Sequence, residues 1–223
     1  MFDGIFLKNY LKNKGVSKVG YTAINAEDFP QYNFAISLVM KLPKECIRAI
    51  IDEDYKYYWM RFHREADRLK EIAIDAEKLI KNNGYDAFAL TLQRNGFDMD
   101  KLLSKIPYKT VATSSGLGWI GRSALFVCEE YGSAVVLSSV LTNMPLEIGT
   151  PITDSLCDDC EECQKACPVD AVNPRKWNSR LSREDIIDIE ACSQYVMDQY
   201  KAGLGCSKCL SNCKLTQKYY HSL

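Results

Sequence analysis

Apolar residues recur at helical spacing in two stretches of the first half of this 223-residue chain. Residues 2–14, "FDGIFLKNYLKNK", carry a short apolar stripe that stops at Gly15. The longer stretch spans 55–82, where Tyr55, Tyr58, Phe62, Ala66, Leu69, Ala73, Ala76 and Ile80 follow one another at steps of three or four and "NNG" closes the run. Both predict helices. Continuous apolar runs instead predict buried strands: "NFAISLVMKL" (33–42), ended by Pro43, and "YDAFALTL" (85–92). "SALFVCEEYGSAVVLSSVLT" (123–142) is two β-rich runs around "EEYG" and predicts a hairpin. Further on, Ser182 and Asp185 form a helix-capping pattern leading into "IIDIEACSQYVMDQY", a helix that carries Cys192 and is broken by Gly203 and Gly205. Helices mixed with an antiparallel pair predict an α+β fold. "NMPLEIGTPITDS" (143–155), with two prolines and a glycine, reads as a linker, dividing the chain into domains at 1–150 and 151–223.

Cysteine usage sharpens that division. Eight of the ten cysteines lie between 157 and 213; only Cys46 and Cys128 precede them, in apolar surroundings that suit buried packing thiols rather than ligands. The N-terminus lacks the basic start, apolar middle and small-residue cleavage site of a secretory signal, and no apolar run is long enough to span a membrane. The expected location is therefore cytoplasmic, without membrane contact, where thiols stay reduced and a dense cysteine cluster points to metal rather than disulfides.

Cys157, Cys160, Cys163 and Cys167 are spaced C-x2-C-x2-C-x3-C, with Pro168 following. This is the bacterial ferredoxin pattern, in which three cysteines hold one 4Fe–4S cluster and the fourth serves another. Downstream, Cys206, Cys209 and Cys213 form C-x2-C-x3-C, and Cys192 stands alone. Eight thiolates match two cubanes. Two four-cysteine zinc sites share the C-x2-C element, but three tightly spaced ligands leave a zinc site short.

A net charge of −1, from 28 basic and 29 acidic side chains, argues against a nucleic-acid binder, although Arg175, Lys176, Arg180 and Arg183 form a local basic group. "GLGWIG" (116–121) matches G-x-G-x-x-G, but "RSALFVC" behind it reads as a strand, where a dinucleotide fold needs a helix. Three glycines beside Trp119 suit backbone packed against something flat, or a tight turn into a core strand.

Taken together, "ATSSGLGWIGRSALFVCEEYGSAVVLSSVLTNMPL", "CDDCEECQKACPVDAV", "CSQY" and "GCSKCLSNC" resemble the epoxyqueuosine reductase family, whose wider superfamily includes the reductive dehalogenases. The resemblance implies a nitroreductase-like α/β N-terminal domain followed by a small ferredoxin-like domain with two 4Fe–4S clusters beside a corrinoid such as cobalamin. It implies one cluster on Cys157, Cys160, Cys163 and Cys213, and the other on Cys167, Cys192, Cys206 and Cys209. Gly116, Leu117, Gly118, Trp119, Gly121 and Arg122 become the expected cofactor-binding loop, and Tyr108 the candidate proton donor, since "LSKIPYKTVATSS" (103–115) holds no Asp or Glu where the family carries an acid. The family's C-terminal helical-repeat domain is not matched. The resulting expectation is a reductase passing electrons from an external ferredoxin- or flavodoxin-type donor, through the clusters and corrinoid, to a small-molecule or modified-nucleoside substrate. An electron-transfer module without substrate chemistry is the rival. A tRNA epoxyqueuosine reductase ranks third, because specific tRNA binding is not expected at this charge.

Overall fold

In a computed structural model, residues 2–99 and 101–222 are described. The elements run α1 (Gly4–Asn13), β1 (Lys18–Ala23), β2 (Phe34–Lys41), α2 (Lys44–Ile51), α3 (Tyr55–Asn82), β3 (Ala87–Leu90), α4 (Tyr108–Ser114), β4 (Trp119–Ile120), β5 (Phe126–Val127), β6 (Val135–Thr142), α5 (Glu162–Lys165), α6 (Ile189–Lys201), α7 (Lys208–Ser211) and α8 (Lys214–His221). The fold is mixed α and β. Helix α3 spans the residues its 3.6-residue periodicity predicts, and α1 begins where Asp3 accepts the Phe6 amide hydrogen.

The chain forms two compact units. The first comprises Met1–Met40, Glu65–Leu117 and Val136–Ile152; the second comprises Lys41–Arg64, Gly118–Val135 and Thr153–Leu223. The cut after residue 150 lies beside the last of these boundaries, but the second unit also takes two earlier segments. The cysteine-rich stretch carries too little apolar surface of its own, and α2, the start of α3 and the β4–β5 pair supply it.

The first unit holds a four-stranded sheet of order β1-β2-β6-β3. β1 runs antiparallel to β2 with Tyr21 opposite Ile36, and β3 antiparallel to β6 with Ala89 opposite Val140. Ala35 to Met40 are all buried, which is why β2 reads as an unbroken apolar run. Phe29, Tyr32, Ala35, Leu90, Ile106 and Leu141 belong to one core cluster. Glu77 of α3 is buried and accepts hydrogen bonds from Arg94 Nη1 at 2.7 Å, Lys81 Nζ at 2.8 Å and the Ala89 amide at 2.8 Å.

Two expectations are corrected. β5 and β6 do not form a hairpin: the "EEYG" turn closes locally between Cys128 and Gly132, but β5 pairs back with β4 while β6 enters the large sheet. Eight residues of β6 find partners on two sides in that sheet, more than the two-residue β5 offers. Ser182 and Asp185 do exchange capping hydrogen bonds, yet they hold only a turn; α6 begins later, with Asp188 accepting the Ala191 amide hydrogen.

Candidate metal centre

In the second unit, the cysteines are placed by short helices and turns. Cys157 and Cys160 sit in a turn closed by the Cys160 amide on the Cys157 carbonyl at 3.0 Å. Cys163 lies in α5, Cys192 in the first turns of α6, Cys209 in α7, and Cys213 at the N-cap of α8. α8 is anchored by the buried Thr216 and Tyr219: Thr216 Oγ1 accepts from the Ser133 amide at 3.0 Å, and the Tyr219 hydroxyl donates to the Leu42 carbonyl at 2.9 Å. Cys167 and Cys192 pack against one small core of Ile120, Ala124, Ala171, Ile186 and Ile187. That core brings together two thiols 25 positions apart.

The cysteine thiols act on one another's titration. Burial pushes the Cys163 thiol up to about 11, and charge on Cys157, Cys213 and Cys160 pushes it the same way. Burial pushes Cys209 up to about 12, with Cys206, Cys192, Cys163 and Cys167 adding to it; Cys192 is raised by burial, then by Cys206 and Cys167. Cys163 also acts on Cys209, so the division into a first set of Cys157, Cys160, Cys163 and Cys213 and a second of Cys167, Cys192, Cys206 and Cys209 remains what the family resemblance implies. Buried thiols that raise one another stay protonated unless a cationic centre offsets the charge, so the donor set fits a metal. Among the described residues, no three of His, Cys, Asp and Glu converge on a single ion, whereas thiolates on the corners of a cube stand further apart than ligands of one zinc. Among the described residues no cysteine forms a disulfide, and Cys46 and Cys128 are buried.

Two N–H groups point at cysteine sulfurs. Trp119 Nε1 donates to Cys157 Sγ at 3.3 Å, and the Ala171 amide to Cys167 Sγ at 3.2 Å. A cavity of about 750 Å³ opens beside the first set, lined by Cys157, Cys160, Cys163 and Cys213 together with Trp119 and Arg122. Arg122 is buried and ties the cysteine turn down: Nη1 donates to the Pro174 carbonyl at 2.6 Å and Nη2 to the Asp158 carbonyl at 3.2 Å, while its buried Nε has no partner.

The glycine loop divides between the units, Gly116 and Leu117 ending a segment of the first and Gly118 to Arg122 opening one of the second. Its glycines have packing reasons of their own. A Cβ on Gly118 would stand 2.1 Å from the Val127 carbonyl oxygen of β5, one on Gly121 2.8 Å from Val127 Cγ2, and one on Gly116 2.5 Å from the Thr150 carbonyl oxygen. On its Cβ side each of these glycines therefore faces the chain itself, which accounts for the glycine without a flat ring. Leu117 packs beside Gly20 in the first unit. Tyr108, also in the first unit, spends its hydroxyl proton on the Leu90 carbonyl at 2.7 Å, and burial raises its pKa.

Sequence reasoning missed Ser123, which lowers the Cys163 pKa against its burial, and Tyr58, on which Ser207, between Cys206 and Cys209, acts in the same sense. It also treated Trp59 and Tyr55 as part of an ordinary helix.

No family model matches the chain. An epoxyqueuosine reductase of Listeria monocytogenes is 36% identical over 110 residues, 46% of this chain and 28% of that protein. The alignment thus spans under a third of that relative. Among solved structures, an epoxyqueuosine reductase with an epoxyqueuosine-modified tRNA stem loop superposes with a TM-score of 0.66 at 21% identity, covering 96% of this chain and 65% of that one. A reductive dehalogenase whose structure suggests a mechanism for B12-dependent dehalogenation superposes with a TM-score of 0.69 at 20% identity, covering 93% of this chain and 30% of that one.

The tRNA-bound neighbour overturns the expectation, drawn from a net charge of −1, that specific tRNA binding is absent. Net charge averages the whole surface, whereas a stem loop touches one face. Among the described residues, no helix is long and apolar enough to cross a membrane. The chain is epoxyqueuosine reductase-like in sequence, and it shares its fold with epoxyqueuosine reductases and reductive dehalogenases.

Proposed function

We propose that this chain carries the reductase part of an epoxyqueuosine reductase-type oxidoreductase, acting in the cytoplasm on a modified nucleoside borne by tRNA. The similarity to a named epoxyqueuosine reductase, 36% over 110 residues, carries this reading. The fold shared with a tRNA-bound neighbour supports the choice of substrate. In this reading the first unit contributes a nitroreductase-like scaffold, and the cysteine-bearing segment is ferredoxin-like.

Cys157, Cys160, Cys163 and Cys213 would hold one 4Fe–4S cluster, and Cys167, Cys192, Cys206 and Cys209 the other. When bound, these groups supply one-electron transfers, two of which, with two protons, remove an epoxide oxygen as water. The electrons would come from an external ferredoxin- or flavodoxin-type donor. The protein's residues fix and insulate the relay. Trp119 and the Ala171 amide donate to ligand sulfurs, Arg122 pins the Cys157–Cys160 turn, and the core around Ile120 and Ile186 keeps water from Cys167 and Cys192. Gly116, Gly118 and Gly121 have packing reasons of their own, so they do not by themselves call for a corrinoid. A corrinoid enters this reading only through the B12-dependent neighbour.

The test is anaerobic reconstitution with iron and sulfide, followed by incubation with a low-potential reductant and an epoxyqueuosine-modified tRNA stem loop. Conversion of the nucleoside to the deoxygenated product, seen by mass spectrometry, is expected. Protein with a full complement of iron that neither retains the stem loop nor converts it would overturn the proposal and leave an electron carrier.

A further inference from the structure

Helix α3 begins in the second unit, and its first turns are crowded with aromatic rings. Tyr58, Trp59 and Phe62 lie within 4.9 to 5.9 Å of one another, centroid to centroid. The sequence presents this as an apolar stripe, yet two polar atoms are sealed inside it. The Tyr55 hydroxyl and Trp59 Nε1 are both buried and have no hydrogen-bond partner. A sealed donor without an acceptor costs on the order of 1–3 kcal/mol. Two side by side call for a reason.

Their surroundings supply one. A Cβ added to Gly205 would stand 2.7 Å from Trp59 Nε1 and 3.1 Å from Tyr55 Cδ1, so the backbone immediately before Cys206 packs against the Trp59 donor and the near edge of the Tyr55 ring. Charge on Cys206 acts on the Tyr55 hydroxyl, second only to burial, and charges on Cys209 and Cys206 both reach Tyr58. The first thiol set shows the arrangement completed: there an indole N–H, that of Trp119, donates to Cys157 Sγ. Each set therefore has a tryptophan beside it, and only one of the two indoles has found its acceptor.

We infer that Trp59 Nε1–H and the Tyr55 hydroxyl are hydrogen-bond donors to the sulfurs of the group held by Cys167, Cys192, Cys206 and Cys209, and that they raise its reduction potential above what its thiolates alone would set. This rests on the two-cluster reading proposed above. Donors to sulfur favour the reduced, more negative state, so hydrogen bonding is one of the levers that set a cluster's potential. α3 thereby acts as a tuning element, and Trp59 and Tyr55 are positioning residues rather than catalytic ones.

The experiment uses the full chain, reconstituted anaerobically, with iron counted before anything else is read. EPR-monitored redox titration of Trp59→Phe and Tyr55→Phe is expected to show the midpoint of one cluster moving to lower potential while the other stays. Trp119→Phe should move the other cluster instead. Resonance Raman spectra of wild type in D2O supply a second readout that needs no variant: deuteration of the donors should shift Fe–S stretching bands, and fewer of them in Trp59→Phe. Full iron content with unmoved midpoints and identical Raman shifts in both α3 variants would sink the inference while the cluster reading stands. Wild type that takes up no iron would sink the cluster reading itself, and the inference with it.

Discussion

In the first unit, Ala35 to Met40 of β2 and Val140 to Thr142 of β6 are buried along the strand, and α3 adds Leu69, Ala73, Ala76 and Ile80. From Thr153 onward, the buried apolar side chains among the described residues reduce to Ala171, Val172, Ile186, Ile187, Leu210 and Tyr219. Helix α6, thirteen residues long, buries none. One region is held by side-chain burial, which is spread over many contacts and tolerates single losses. The other carries eight half-buried thiols, and in the two-cluster reading proposed above its order depends on what those thiols bind. Burial alone suffices for the sheet.

The comparison is broken most directly by removing iron. Chelation of reconstituted protein is expected to expose 153–213 to proteolysis while peptides from β2 and β6 stay protected; equal protection of both regions would contradict it. Cys209→Ser, which strikes one set only, should lower iron content by about half.

Glu77→Ala tests the first unit at its most polar point. It leaves Arg94 and the Ala89 amide without their shared acceptor, and a loss of about 3–5 kcal/mol is expected in chemical denaturation followed on the sheet. The pH dependence has a defined sign. Burial alone would raise the Glu77 carboxyl, but hydrogen bonds from Arg94, Lys81 and Ala89 outweigh it and hold the pKa at about 2, below the ordinary 4.5. A depressed pKa contributes stability above 4.5 that is lost as pH falls towards 2, worth about 3 kcal/mol. Exchange of β3 amides should therefore accelerate over that window in wild type and change far less in Glu77→Gln.

Gly118→Ala comes next. Its Cβ would collide with the β5 backbone, and a loss of about 1–3 kcal/mol is expected, with weaker retention of iron by the first thiol set because Trp119 and Arg122 shift with the strand. Retention of full stability would show that β5 moves freely. The smallest effect belongs to Cys46→Ala and Cys128→Ala, each expected to cost about 1–2 kcal/mol with iron content unchanged. Half the iron lost in either would place a ligand outside the cysteine segment.

Several features were legible because they are local. The 3.6-residue stripe of α3 marks both of its ends, and the unbroken apolar run of β2 marks a strand covered on both faces. β1 escaped notice: "KVGYTA" is short and interrupted by Gly20, and its strand character comes from pairing with β2. α2 and α4 were missed for a related reason, each following a proline that reads equally well as a loop.

By itself, the sequence singled out eight cysteines, in a spacing that suits two cubanes, as the candidate metal ligands. Thiol spacing along a chain limits which ligands one small cube can share, and eight cysteines in that pattern leave few partitions. It also determined the long helix, since periodicity is written residue by residue. Only the tertiary structure decided where β5 finds its partner, that Cys167 and Cys192 pack against one core, and that an indole and a phenol from α3 lie beside Gly205 with their donors sealed. Strand pairing and the placement of a buried donor are settled by competition among distant segments for the same space. No local pattern records the outcome of that competition.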